Sequence, residues 1–217
     1  MTDLVCLHAA ASGPGTWAEL TPRLAELGYR VHCPTLPGHR GAPRRSAYPL
    51  TAFRDAVLAE LDRLALERVV LVGHSLGAFT ASMVAASQPD RVTRLVLEEP
   101  PVPRRNLQDA PPARQQRAGF AMRALAFLGR GRFDPRMLRD VVAGLREPQE
   151  AWWAGLPSIT APALILAGGE TSHLDQSRYG LLAQALPDAV VTTLDAGHRI
   201  HRRAPEKWLA EVAGFLA

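Results

Sequence analysis

Cysteine is scarce: Cys6 and Cys33 are the only two in a chain of 217 residues. Two cysteines build neither a disulfide framework nor a thiolate metal site, and both lie in apolar runs, so buried free thiols are expected. The seven histidines show no HExxH spacing, so the pattern names no metal centre. No apolar run approaches eighteen residues, which leaves no membrane-crossing helix to expect. The first residues, MTDLVCLHAAASG, place an acid early and follow it with a brief apolar run. A secretory leader starts basic and carries a longer apolar region, so the expected location is the cytoplasm. Aromatics are few, at 6% of residues, and the arginines are mixed with acids rather than interleaved with aromatics. Despite a formal net charge of +4 and a pI near 9.7, nucleic acid is therefore not an expected partner.

What remains is the composition of a soluble globular protein, 47% hydrophobic and 21% charged. The length suits one α/β domain with a sizeable core, with or without a small insertion. Short runs rich in Val, Leu and Ile fall at residues 4–7, 30–33, 69–72, 95–97, 163–166 and 190–194. They do not alternate with polar residues, as expected of strands covered on both faces. Helical patterns lie between them at 15–27, 50–66, 76–88, 175–186 and 205–216, the last opening on Pro205. This alternation predicts a doubly wound, mostly parallel sheet of about six strands, with ligands at the carboxyl ends of the strands. Residues 101–157 break the rhythm. They open with PPVPRRNLQDAPP, show an apolar stripe at Phe120, Ala124, Leu125 and Leu128, and then a cap and first turn at Asp134-Pro135. The expected division is a core of residues 1–100 and 158–217 carrying a helical lid at 101–157.

The chemistry gathers at strand ends. Gly73-His74-Ser75-Leu76-Gly77 sits between a strand-like run and a helical one. A sharp strand-to-helix turn lifts a serine hydroxyl above the sheet, and glycines at both flanks prevent a collision. Ser75 is thus the expected nucleophile, at a helix N-terminus that favours negative charge. Serine needs a base near neutral pH, and His198, just after the last strand-like run, faces the same rim. His201, three residues on, reads as structural. An oxyanion hole needs two backbone donors: Leu76 offers one, and the small-residue loop LHAAASGPGTW offers the other, at Ala10 or, next, Ala9. Trp152, Trp153 and His173 are the side chains expected nearest a substrate, although packing in the lid is the simpler account of the indoles.

These motifs give the whole chain a resemblance to the α/β-hydrolase fold superfamily. It is carried by LHAAASGPGTW, PTLPGHRG, VGHSLGAF, ITAPALILAGG and AGHRIHRRAPEKW. The resemblance implies the chain order serine, acid, histidine, and a fold here lacking the two N-terminal antiparallel strands. It also exposes a departure. Where the family commonly has an aspartate after the penultimate strand, AGGETSHLD supplies Thr171 or Ser172. Three carboxylates are left for the role: Glu99, at a position some members of the superfamily use, Glu170, and Asp175. Glu99 is the choice carried forward, since LEEPP at the end of a buried strand is poorly explained by packing.

The reading that follows is a serine hydrolase needing no cofactor and no metal. It would cleave a small ester, lactone or thioester through an acyl-enzyme on Ser75. Two alternatives stay open: a lyase or perhydrolase on the same scaffold, and a catalytically silent binding protein. Substrate identity and oligomeric state are not encoded in any motif.

Overall fold

The structure, a computed structural model, describes residues 1–113 and 131–217. The apolar stripe expected at Phe120–Leu128 lies outside the described residues. Six strands form one sheet: β1 (Thr2–Leu7), β2 (Tyr29–His32), β3 (Val69–His74), β4 (Val92–Glu98), β5 (Ala163–Ala167) and β6 (Ala189–Thr193). Their spatial order is β2-β1-β3-β4-β5-β6, and every pairing is parallel. The chain therefore leaves β1 in one direction, towards β2, and returns to the other side of it with β3. Strand order reverses at that point, the place where a sheet of this kind binds ligands, beyond the carboxyl ends of β1 and β3.

Why these residues make such a sheet follows from its two cores. Side chains alternate along each strand, and both sets are apolar. Val5, Leu7, Val69, Leu71, Leu95 and Leu97 pack with α2 (Leu50–Arg63) and α3 (Leu76–Ser87) on one face. Leu4, Cys6, Val70, Val72 and Val96 pack on the other, with Leu20 and Leu24 of α1 (Leu20–Glu26) and with Trp208 and Val212 of a C-terminal helix, Pro205–Leu216. Cys6 is buried, Cys33 half-buried, and both are free. Among the described residues no helix is long and apolar enough to cross a membrane.

Between β4 and β5 two helices are described, α4 (Pro135–Arg146) and α5 (Glu150–Gly155). The Asp134 carboxylate accepts from the Arg136 amide, and Pro135 occupies the first turn, as the sequence predicts. Met137, Leu138 and Val141 of α4 are buried in the α2–α3 core. Two expected helices are shorter than their patterns. Residues 15–27 divide into a 3-10 turn, Pro14–Trp17, and α1. Residues 175–186 likewise divide into a turn, Gln176–Arg178, and α6 (Tyr179–Ala185). The Asp175 side chain caps that turn by accepting from the Ser177 amide, so it marks an element start rather than a helix interior.

Candidate active site

Ser75 stands at the end of β3, one residue before α3, with φ 54° and ψ −116°. A non-glycine residue in that region is strained, and the surroundings hold it there. Its amide donates to the Glu98 carbonyl at 2.9 Å, and its carbonyl accepts from the Phe79 amide at 3.0 Å. The flanking glycines are required for two different reasons. A Cβ on Gly73 would fall 2.5 Å from the Ala78 backbone, across the turn. A Cβ on Gly77 would instead strike β1, 2.5 Å from the Leu7 carbonyl carbon and 2.8 Å from the His8 oxygen. The second glycine thus lets the helix lie against the neighbouring strand.

That close approach brings the loop after β1 towards the turn that holds Ser75. His8 is fully buried. Its Nδ1–H donates to the Ala9 carbonyl at 2.9 Å, and its Nε2 accepts from the Leu36 amide at 3.1 Å. Burial pushes this imidazole down to about 3, which keeps it neutral. His39 Nε2–H donates to the Ala10 carbonyl at 2.7 Å. The Ala9-Ala10 segment is therefore clamped by two histidines, and Ala9 takes no positive φ. The Leu76 amide begins α3 and has no partner within the helix.

On the other side of Ser75, Glu99 and His198 meet. Nδ1–H of His198 donates to Oε2 of Glu99 at 3.1 Å, which leaves Nε2 as the bare acceptor. Glu99 has φ 50°, a bend that turns its side chain off the strand line. The carboxylate is fully buried. It receives the Gly168 amide at 2.6 Å, the Tyr179 hydroxyl at 3.3 Å and the Ser172 hydroxyl. Burial pushes its pKa up, but the hydrogen bonds from His198 and Ser172, with the Gly168 amide, outweigh it and hold the carboxyl below its ordinary value. The rival acids are placed otherwise. Asp175 accepts from the Ser177 and Ala113 amides, and Glu170 is exposed on the rim.

Glu98, the preceding residue, turns to the opposite face and is also fully buried. It receives the His201 amide at 3.1 Å, the His201 ring at 2.8 Å and the Trp208 indole at 3.0 Å. The expectation that His201 is structural fits this geometry, since its ring stacks on Trp17 at 4.3 Å and its Nε2 meets the Thr16 hydroxyl at 2.7 Å. The sequence alone assigned a role to neither Glu98 nor His74. The Glu98-Glu99 doublet was the available signal, because two adjacent buried carboxylates demand two sets of donors.

His74, Glu98 and His201 bring one ligand-type atom each within 4.8 Å of one another. All three are buried, and apart from His74 Nδ1 their polar side-chain atoms are spent on one another, on the His198 carbonyl, on Thr16 and on Trp208. A cation there would have to displace those bonds. His173 is exposed, and its ring packs 4.2 Å from that of His198 at 59°. Trp152 is buried on α3, stacked on Phe79 at 4.9 Å with its indole N–H donating to the Ser82 hydroxyl. Trp153 is half-buried and donates to the Pro103 carbonyl at 3.1 Å.

A model of the alpha/beta hydrolase family matches residues 4–212. A pimeloyl-[acyl-carrier protein] methyl ester esterase of Pectobacterium carotovorum is 32% identical over 99% of this chain and 80% of its own length. A second protein of that name, from Aromatoleum aromaticum, is 45% identical over 44% of this chain and 36% of its own length. Among solved structures, an esterase from Exiguobacterium antarcticum superposes with a TM-score of 0.83 at 17% identity, over 100% of this chain and 92% of that one.

Proposed function

Because the chain belongs to the alpha/beta hydrolase family, we propose that it is a serine-dependent carboxylic ester hydrolase acting on a small ester, lactone or thioester without a cofactor. The observation that supports this best is the hydrogen bond from His198 Nδ1 to the buried Glu99 carboxylate, beside a strained serine at a helix start. Esterases among its relatives support the ester class.

In this reading His198 Nε2 takes the proton of the Ser75 hydroxyl as Oγ attacks the carbonyl carbon. Glu99 remains ionised and stabilises the imidazolium that forms. The amides of Leu76 and Ala10 receive the oxyanion. Collapse of the tetrahedral intermediate expels the alcohol or thiol, which carries away the proton from His198. Water then gives a proton to the same nitrogen as it attacks the acyl-enzyme, and the departing Ser75 Oγ takes that proton back as the acid is released. In this reading the described residues 101–113 and 131–157 belong to a lid, and Trp153 and His173 meet substrate with Trp152 behind them.

The test is labelling with a fluorophosphonate, read by intact mass, alongside turnover of p-nitrophenyl acetate. One adduct on the wild-type protein and none on Ser75→Ala is the expected result. An unlabelled, inactive wild-type protein overturns the proposal and favours a silent binding protein.

A further inference from the structure

The residue before the nucleophile carries an unexplained cost. His74 closes β3 and is 2% exposed. Its Nε2–H donates to the main-chain carbonyl of His198 at 2.6 Å. That tautomer leaves Nδ1 as an acceptor, and among the described residues this buried nitrogen has no hydrogen-bond partner. Buried polar atoms are rarely left so, and each instance calls for a reason.

We propose that His74 is the positioning residue of His198: its Nε2–H, projecting from the rigid end of the nucleophile's own strand, fixes the backbone of the base relative to Ser75. The inference rests on the catalytic reading of Ser75 and His198.

Three contacts together hold the turn that carries the base. His74 grips the carbonyl of residue 198, Glu99 grips its ring, and the Glu98 carboxylate grips the amide of His201 three residues later. Two of these grips come from Glu98, the last residue of β4, and Glu99, the residue after it; the third comes from β3, whose next residue is Ser75. The turn that carries the base is thus held from the ends of two neighbouring strands, and of the three contacts the His74 one comes from the strand that leads into Ser75. The ring also suits its place. It lies 4.8 Å from the His198 ring, so a charge on it would oppose the imidazolium formed in the reaction. Burial pushes it down to about 3, and it stays neutral.

Two variants of matched shape separate the hydrogen bond from mere packing. His74→Gln keeps an N–H donor at similar reach, and His74→Met removes it. Small displacements of reacting groups cost up to about a hundredfold in rate. For p-nitrophenyl acetate the expected result is a fall in kcat of about 10- to 100-fold in H74M with KM within about threefold, and recovery to within about threefold of wild type in H74Q. Full activity in a folded H74M overturns the proposal, as does an H74Q protein that falls as far as H74M. If H74M does not fold, H74Q decides: wild-type-like kcat supports the proposal, and a tenfold loss at an unchanged melting temperature overturns it. Fluorophosphonate labelling of the wild-type protein is the separate control, whose failure would remove the catalytic reading itself.

Discussion

Ser172 donates its hydroxyl to Oε2 of Glu99, the same oxygen that receives Nδ1–H of His198. One of the two residues, Thr171 and Ser172, that stand where an acid is common in this fold thus hydrogen-bonds the carboxylate proposed for that role. The carboxylate arrives from just past the end of β4 and the hydroxyl from the loop after β5, and both reach one point beside His198. In the proposed mechanism Glu99→Gln removes the charge opposite the imidazolium and permits the wrong tautomer. A loss in kcat/KM of about 10³- to 10⁴-fold is expected, by analogy with other hydroxyl–imidazole–carboxylate sets. Glu170→Gln and Asp175→Asn should stay within about threefold, and Ser172→Ala should lose about three- to tenfold, the scale of one hydrogen bond. A large loss confined to E170Q would reassign the acid.

Glycine substitutions should act with opposite signs at two helical positions. Gly77→Ala drives a methyl group into the Leu7–His8 backbone, which has no flexible end to yield. Overpacking of this kind costs about 3 kcal/mol or more, or roughly 6–12 °C in melting temperature for a chain of this size. Gly214 lies in the C-terminal helix with open space around its Cα. Gly214→Ala should raise stability by about 0.5–1 kcal/mol, because alanine restricts the unfolded chain and favours helix. Thermal unfolding of the two variants checks both, and a G77A protein as stable as wild type would contradict the close approach described for α3.

The two glycines also show how far the sequence could be read. Their presence around Ser75 reported a tight turn, and β3 and α3 lie where the pattern places them. The reason for Gly77 lay in β1, some seventy residues away, and no local pattern records that contact. Glu99 was legible as a buried carboxylate for a similar reason in reverse. Glu99 stands out because carboxylates are seldom buried unpaired, whereas the donors from Ser172, Gly168 and Tyr179 are contributed by tertiary folding alone. His74 was hidden inside the very motif that drew attention to Ser75. A histidine between Gly73 and Ser75 has no periodicity to betray its partner, and its bond to the His198 carbonyl joins residues 124 apart in the chain.

Buried neutral histidines make an acid-sensitive fold. His8 and His74 are both held at about 3, well below the value near 6.5 of an unfolded chain. Between those limits the unfolded state binds protons that the folded state refuses. Stability therefore falls as pH drops from about 6.5 towards 3, and neither group contributes above that window. Each histidine adds at most about 1.4 kcal/mol per pH unit. His39, buried and also lowered, acts in the same direction. Denaturant unfolding at pH 7.5, 6 and 5 should show an uptake of at least two protons on unfolding at the acid end. An uptake below one proton at pH 5 would be incompatible with these rings being neutral.

The adjacent tryptophans should separate stability from substrate contact. Trp152 is 7% exposed, stacked on Phe79 and bonded to Ser82, so truncation opens a cavity against α3. Trp152→Ala should cost about 3–5 kcal/mol, lowering the melting temperature by roughly 6–20 °C. Trp153 packs edge-on against it at 5.0 Å but is only half-buried, and its indole N–H holds the Pro103 carbonyl. Trp153→Phe keeps most of that packing and loses one hydrogen bond, about 1 kcal/mol. If the indole also meets substrate under the lid, KM should rise in W153F for long-chain p-nitrophenyl esters and stay unchanged for the acetate. Equal KM shifts for both esters would place Trp153 outside the acyl pocket and leave it a packing residue beside Trp152.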